Sequence, residues 1–430
     1  MLRRLIIRRA QRNPFHTSGS INGIRGWEAP QYYIYGPTIK RPSIHQKKNI
    51  LLPSNSKHSR TLFTSSIPPL LLPPVIFIGL LLGLWTWKCF WIIVMQNKLL
   101  YLSWLPPFSR SDKISEYESE CKPVRWQEKR IRSLDGTKLA VCEGHIPVQD
   151  QRQKPIDSRE KMKKKSVVIC YFQGNGGSTP LRLPLLSQVL RTIATKSQPT
   201  PDDPSYSIVA LSYRGYWTSS GRATQSGIEL DAQAFLNWVS ETYSAPDTDL
   251  QIILWGHSLG CAVASSALSS YLTRRHAEQS TGPARLAPIA GLILEAPISS
   301  IKDMLIGLYP QKWLPYRYLW PFSWNTWCTA TALEQLADYR DRTAGDQSVP
   351  PILILSPEQD EVVPPEVAGR LESRGHDLGL DIARKDVPRA MHIEAPIKID
   401  GREALVHTTT GCGEQGFPSA QPYLSHTPAS

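Results

Sequence analysis

The sequence predicts an α/β fold: an eight-stranded, mostly parallel sheet covered by helices, with one transmembrane helix ahead of it. Three observations carry this expectation. From about Trp126 onward, short apolar runs alternate with amphipathic stretches, the pattern that builds a mostly parallel sheet. Within that region, Ile252–Ala264 passes from an apolar strand through Gly256-His-Ser-Leu-Gly260 directly into a small-residue helix. Ahead of it, Leu70–Met95 contains a single charge, Lys88.

In chain order, residues 1–67 come first and form a basic segment expected to be largely disordered. They hold twelve Lys and Arg against one acid, Glu28, and so account for nearly all of the formal net charge of +12. The remaining residues are almost balanced, which excludes a global electrostatic footprint for nucleic acid. Met1–Arg12 carries five Arg and no acid, the composition of a mitochondrial transit peptide. Arg60-Thr-Leu-Phe-Thr-Ser-Ser66 resembles sequences near presequence cleavage sites. A basic cytosolic tail touching anionic lipid is the competing reading, so the compartment stays open between the mitochondrial inner membrane and the endoplasmic reticulum.

The transmembrane segment is expected over residues 70–96. Val75–Met95 as a helix would span about 31 Å, enough for the hydrocarbon core, with Trp85, Trp87 and Trp91 toward one end as an interfacial belt. Lys88 can snorkel toward the interface. Residues 48–68 and 96–115 carry equal numbers of basic groups, so the positive-inside rule gives no orientation.

The catalytic-type domain is expected over residues 117–410. Strands are read at 126–132, 137–144, 166–172, 208–212, 251–255, 290–295, 351–356 and 383–388. Helices are read at 180–195, 227–243, 259–274, 299–308 and 364–374. Residues 149–165 read as a polar insertion, and residues 411–430 as a disordered tail rich in Gly, Pro and Ser. The seven cysteines are scattered without Cys-x-x-Cys or Cys/His spacing, so buried thiols are expected, with no zinc site and no cofactor.

Gly256-x-Ser258-x-Gly260 at a strand-to-helix junction has the context of a nucleophile elbow. A serine at pH 7 needs a base, and the base needs an orienting carboxylate. On a sheet of this kind those partners follow in loops after late strands. Asp360 sits four residues past the strand ending at Ser356, with Glu358 and Glu361 as competitors. His392 follows the strand near 383–388 and is the expected base, with His407 as the alternative; His376 and His426 fit less well. His257 is expected to support packing. Two N–H donors should stabilise a tetrahedral oxyanion: Leu259 at the start of the helix after Ser258, and Asn175 in Gln173-Gly-Asn-Gly-Gly-Ser178. That glycine loop lacks the Lys-Ser/Thr of a phosphate cradle.

Several motifs in order resemble the membrane-anchored α/β-hydrolase-domain proteins of the bud-emergence type, whose relatives include monoacylglycerol and lysophosphatidylserine lipases and depalmitoylases. They are Tyr171-Phe-Gln-Gly-Asn-Gly-Gly177, Tyr213-Arg-Gly-Tyr216, Gly227-Ile-Glu-Leu-Asp-Ala232, Trp255-Gly-His-Ser-Leu-Gly260, Leu294-Glu-Ala-Pro297 and Asp360-Glu-Val-Val-Pro364. The resemblance covers about residues 97–395. It implies the α/β-hydrolase fold with Ser258, Asp360 and His392 as nucleophile, acid and base. Three positions depart from the pattern: Gln173 replaces the usual His, Trp217 a Gly, and Pro357 a Gly. After His392, relatives continue into a packing helix, whereas Ala395–Gly413 reads here as short and polar.

Between Tyr309 and Trp327 stand eight aromatics in 19 residues, where this fold carries a cap. Trp313, Tyr316 and Trp320 are candidate acyl-binding residues of that cap. The expected activity is hydrolysis of an acyl ester or thioester, as by a lipase, an esterase or an acyl-protein thioesterase, on a lipid or lipidated protein. A catalytically weak membrane scaffold and a serine peptidase are the alternatives.

Overall fold

A computed structural model describes residues 68–147, 163–196, 204–279, 286–343 and 349–414. The basic N-terminal segment with its transit-peptide-like features lies outside the described residues, as do most of the 149–165 insertion and residues 415–430. The chain divides into two units, Met1–Leu81 and Leu82–Ser430.

Helix α1 (Leu72–Val94) opens with Pro73 and Pro74 in its first turn, where missing N–H groups cost no hydrogen bond. The stretch Pro69–Val94 is long and apolar enough to cross a membrane, with a mean hydropathy of 2.0 in its best window and no part of that window buried. A short helix, α2 (Gln96–Tyr101), follows at once.

Eight strands form one sheet in the order β1-β2-β4-β3-β5-β6-β7-β8. They are β1 (Arg125–Arg132), β2 (Lys138–His145), β3 (Lys164–Phe172), β4 (Ser205–Ser212), β5 (Thr248–His257), β6 (Ile289–Glu295), β7 (Ile352–Pro357) and β8 (Ile382–Val387). Strand β2 is antiparallel to both neighbours and every other pairing is parallel. The central strands are buried on both faces and read as unbroken apolar runs, as parallel strands between helices must.

The longer helices that follow are α3 (Leu183–Lys196), α4 (Gln225–Tyr243), α5 (Leu259–Gln279), α6 (Ile301–Leu308), α7 (Thr329–Arg342), α8 (Glu366–Asp377) and α9 (Ile399–Glu414). Thr224 and Ser300 cap α4 and α6 by accepting from Gly227 N–H and Asp303 N–H. Alternation along β5 divides the core. Ile252 and Leu254 face α4, α5, α7 and α8, whereas Ile253 and Trp255 face α3 and α9.

Two differences from the sequence reading stand out. Helix α7 falls where no helix was expected, although Leu333, Leu336 and Ala337 supply a buried stripe. The stretch after His392, read as short and polar, contains α9, so this chain does have the packing helix. Leu405 and Val406 enter the core beside α3, and the helix runs to Glu414, past the expected start of the tail. Gly401 lets α9 start close to the preceding turn, because a Cβ there would lie 2.1 Å from Ala395 O.

Two motifs serve the frame. Arg214 forks onto Asp231 (2.7 and 3.1 Å) and reaches Asp135 at 2.7 Å, which holds the Asp135 carboxyl well below its usual range. Gly227 is small because a Cβ would sit 2.5 Å from the Arg214 side chain. Trp217 adopts φ 39°, and its buried indole N–H donates to Asp112 O at 2.7 Å.

Candidate active site

Every parallel strand ends at the same edge of the sheet, and the chemistry-bearing loops start there. At the end of β5 the chain turns sharply into α5. Gly256 and Gly260 permit this turn: a Cβ at 256 would meet Gly260 O at 2.5 Å, and one at 260 would meet Phe172 O at 2.1 Å. Between them Ser258 has φ 54°, the left-handed region that L-residues avoid. The surroundings hold it there, since Ser258 N–H donates to Glu295 O at 2.8 Å and Ser258 O accepts from Cys261 N–H at 3.0 Å.

Asp360 and His392 come from the loops after β7 and β8. The two Asp360 oxygens lie 2.9 and 2.8 Å from His392 Nδ1. Asp360 Oδ1 also accepts from Val362 N–H and Val363 N–H, both at 2.8 Å, and Glu361 takes the His392 N–H at 3.0 Å. An ionised carboxylate only accepts, so this pairing puts the imidazole proton on Nδ1 and leaves the Nε2 lone pair free. His376 and His407 lie exposed on α8 and α9. His426 is outside the described residues.

Ser258 and His392 share this edge, and the ring of His257 lies 5.1 Å from that of His392. Among the described residues, no hydrogen bond joins Ser258 Oγ to His392. Such contacts are often long without substrate and tighten in the reacting complex.

The loop after β3 comes close to Ser258, because a Cβ on Gly174 would lie 3.2 Å from Ser258 Cβ. The Gly176 and Gly177 N–H groups donate to Tyr101 O (2.8 Å) and Leu105 O (2.6 Å). Among the described residues the N–H groups of Asn175 and Leu259 carry no hydrogen bond. Gln173, in place of the usual His, accepts from Thr179 Oγ1 at 2.9 Å through Oε1, and its carbonyl accepts from Tyr213 OH at 2.9 Å.

Sequence reasoning missed a buried pair beneath the elbow. His257 and Glu295 are direct partners in the β5–β6 register, with Nδ1 and Oε1 3.0 Å apart but not aligned as a hydrogen bond. Trp255 Nε1 donates to the other Glu295 oxygen at 2.9 Å. Burial pushes the Glu295 carboxyl up to about 7 and holds His257 well below the usual imidazole range. Only strand register could have revealed this partner of His257.

The cap residues fall elsewhere. Trp313 packs on Trp85 (5.9 Å between ring centroids), the Tyr316 ring lies under Lys88 (4.4 Å) and that of Trp320 under Lys302 (4.4 Å). None of these partners belongs to the Ser258, Asp360 and His392 group.

No family model matches the chain. Protein bem46 of Schizosaccharomyces pombe is 26% identical over 270 residues, 63% of this chain and 71% of that protein. The alpha/beta hydrolase domain-containing protein WAV2 of Arabidopsis thaliana is 26% identical over 316 residues, 70% of this chain and 83% of its own. The chain has the α/β-hydrolase fold and is similar to these two proteins. The lysophosphatidylserine lipase ABHD12 of Danio rerio is 31% identical over a shorter stretch, 47% of this chain and 46% of the lipase. A solved α/β hydrolase from Vibrio vulnificus covers 68% of this chain and 84% of its own at 16% identity, with a TM-score of 0.45. An esterase from Pyrococcus furiosus covers 68% and 94% at 15% identity, with a TM-score of 0.43. Strand order and the elbow, rather than these distant likenesses, carry the fold assignment.

Proposed function

We propose that this chain is a membrane-tethered serine hydrolase that cleaves acyl ester or thioester bonds through Ser258, Asp360 and His392. The observation that carries the reading is the strained Ser258 turn, on the same sheet edge as a carboxylate-bound imidazole with a free Nε2. The lysophosphatidylserine lipase relatives support a carboxylic ester hydrolase with a lipid substrate, and the Pro69–Val94 helix supports the tether.

In this reading Ser258 Oγ attacks the acyl carbon while His392 Nε2 takes its proton. The carbonyl π electrons move to oxygen, and the oxyanion is held by the N–H groups of Leu259 and Asn175. Each such donor contributes about 3–4 kcal/mol to the transition state. Collapse breaks the bond to the leaving alcohol or thiol, which receives the proton from Nε2. Water, deprotonated by His392 Nε2, then attacks the acyl-serine; collapse breaks the bond from the acyl carbon to Ser258 Oγ, which takes the proton back from Nε2 as the fatty acid leaves. Asp360 keeps the tautomer and stabilises the imidazolium throughout.

A membrane binding module without turnover is the second reading, favoured by the unmade Ser258–His392 hydrogen bond. Fluorophosphonate labelling of the full chain in membranes separates the two. Wild type should label and Ser258→Ala should not, whereas equal labelling of both removes Ser258 from the chemistry.

A further inference from the structure

The cap leaves large apolar side chains in the open. Trp313 is 67% exposed, Trp324 64% and Phe322 59%. An apolar patch of this size on a water-facing surface calls for a partner. The backbone around the patch is fastened to the residues just after α1. Trp324 N–H donates to Gln96 Oε1 at 2.6 Å, and Gln96 Nε2 donates to Phe322 O at 3.2 Å. Asn325 Nδ2 donates to Asn97 Oδ1 at 2.7 Å. Further back along α1, Trp85 and Lys88 receive Trp313 and Tyr316. The fastenings at residues 85, 88 and 96 cover about 16 Å of helix rise.

The length of the helix says what surrounds this region. Pro69–Val94 has 26 residues and would rise about 39 Å, against a hydrocarbon core of about 30 Å. If the surplus of about 9 Å lies at the cap end, the boundary falls six residues before Val94, at Lys88. The one charge in an apolar helix then sits where an ammonium reaches headgroups, beside the Tyr316 ring. The cap composition suits that level. Residues 309–327 combine their eight aromatics with charge of one sign only: Lys312 and Arg317 are present and no acid is. Tryptophan and basic groups together match the anionic headgroup region of a bilayer.

We propose that the exposed aromatic face of the cap is a second membrane-contact surface, seated in the headgroup layer of the bilayer that α1 crosses. The inference rests on the tether proposed above. The surface holds the hydrolase body against the bilayer at two places. It also reaches the site loop, because Tyr101 OH donates to Asn325 Oδ1 at 2.6 Å while Tyr101 O accepts from Gly176 N–H.

Photocrosslinking of the full chain in phosphatidylcholine/phosphatidylserine vesicles tests this. The photoreactive p-benzoylphenylalanine replaces Trp313, Trp324, Val75 or Asp247 in turn; Asp247 is exposed at the opposite edge of the sheet. Lipid adducts at 313 and 324 should approach the yield at 75 and exceed that at 247 at least tenfold. Lipid adducts at 75 with none at 313 and 324, or adducts there to a second copy of the chain, would overturn the proposal. No lipid adduct at any position would remove the tether and this surface with it. Ser258-dependent fluorophosphonate labelling of the same samples reports separately on the hydrolase reading.

Discussion

Replacing Tyr101 by Phe deletes one oxygen at a junction between the segment after α1 and the cap. That hydroxyl is fully buried, donates to Asn325 Oδ1 at 2.6 Å and accepts from Trp327 Nε1 at 3.0 Å. Both partners are themselves buried. Phenylalanine leaves an acceptor and a donor without partners, each costing about 1–3 kcal/mol. The bond from Asn325 Nδ2 to Asn97 does not serve the orphaned Oδ1; single substitutions seldom exceed about 4 kcal/mol, so the expected total is about 2–4 kcal/mol. The Tyr101 carbonyl, which holds Gly176 N–H and Tyr216 OH, is untouched by the change. Stability should therefore fall while fluorophosphonate labelling of Ser258 persists at low temperature. Thermal unfolding of the full chain in detergent, followed by tryptophan fluorescence at one heating rate, reads the loss as a Tm lowered by about 4–8 °C. A change below about 1 °C would refute the reasoning, since the two orphaned groups would then have found other partners at no cost.

Asp360→Asn should lower kcat by on the order of 10⁴ with little change in KM, because an amide cannot hold the Nδ1–H tautomer on both oxygens; a loss under tenfold in steady-state assays would remove Asp360 from its role. Glu295 should make stability pH-dependent. Its folded pKa, about 7, lies above the ordinary value of 4.5, so the folded state loses stability as pH rises from about 4.5 to 7 and is level above that. Glu295→Gln should abolish this fall, about 3 kcal/mol in size, and gain on wild type between about pH 5 and 8 in denaturant titrations; parallel pH profiles would contradict it. Gly260→Ala should prevent folding of the elbow, its Cβ being 2.1 Å from Phe172 O, whereas Gly307→Ala in the open on α6 should stabilise by up to about 1 kcal/mol. Comparable soluble yield and Tm for the two variants would show that the turn relaxes freely.

The sheet was legible because its central strands are long apolar runs bounded by turns, and the elbow because two glycines and a serine at fixed spacing mark it. Asp360 and His392 were legible by position after β7 and β8, and the hydrogen bond between them is the geometry such positions allow. Helix α9 was hidden because it buries little beyond Leu405 and Val406 amid threonines and glycines, so tertiary packing outweighs its weak pattern. The His257–Glu295 pair needs the register of two strands far apart in sequence. The Tyr101–Asn325–Trp327 cluster needs contacts more than two hundred residues apart. No local pattern contains either.

The reversed strand β2 has a practical consequence. Because it runs against β4 and hence against β3, its last residue, His145, and the first residue of β3, Lys164, both lie at the edge where parallel strands begin. Ser258, Asp360 and His392 lie at the other edge. Lengthening a connection costs only about 0.6 kcal/mol per doubling, so a fluorescent reporter or affinity handle inserted between His145 and Lys164 would join the sheet at the edge away from Ser258.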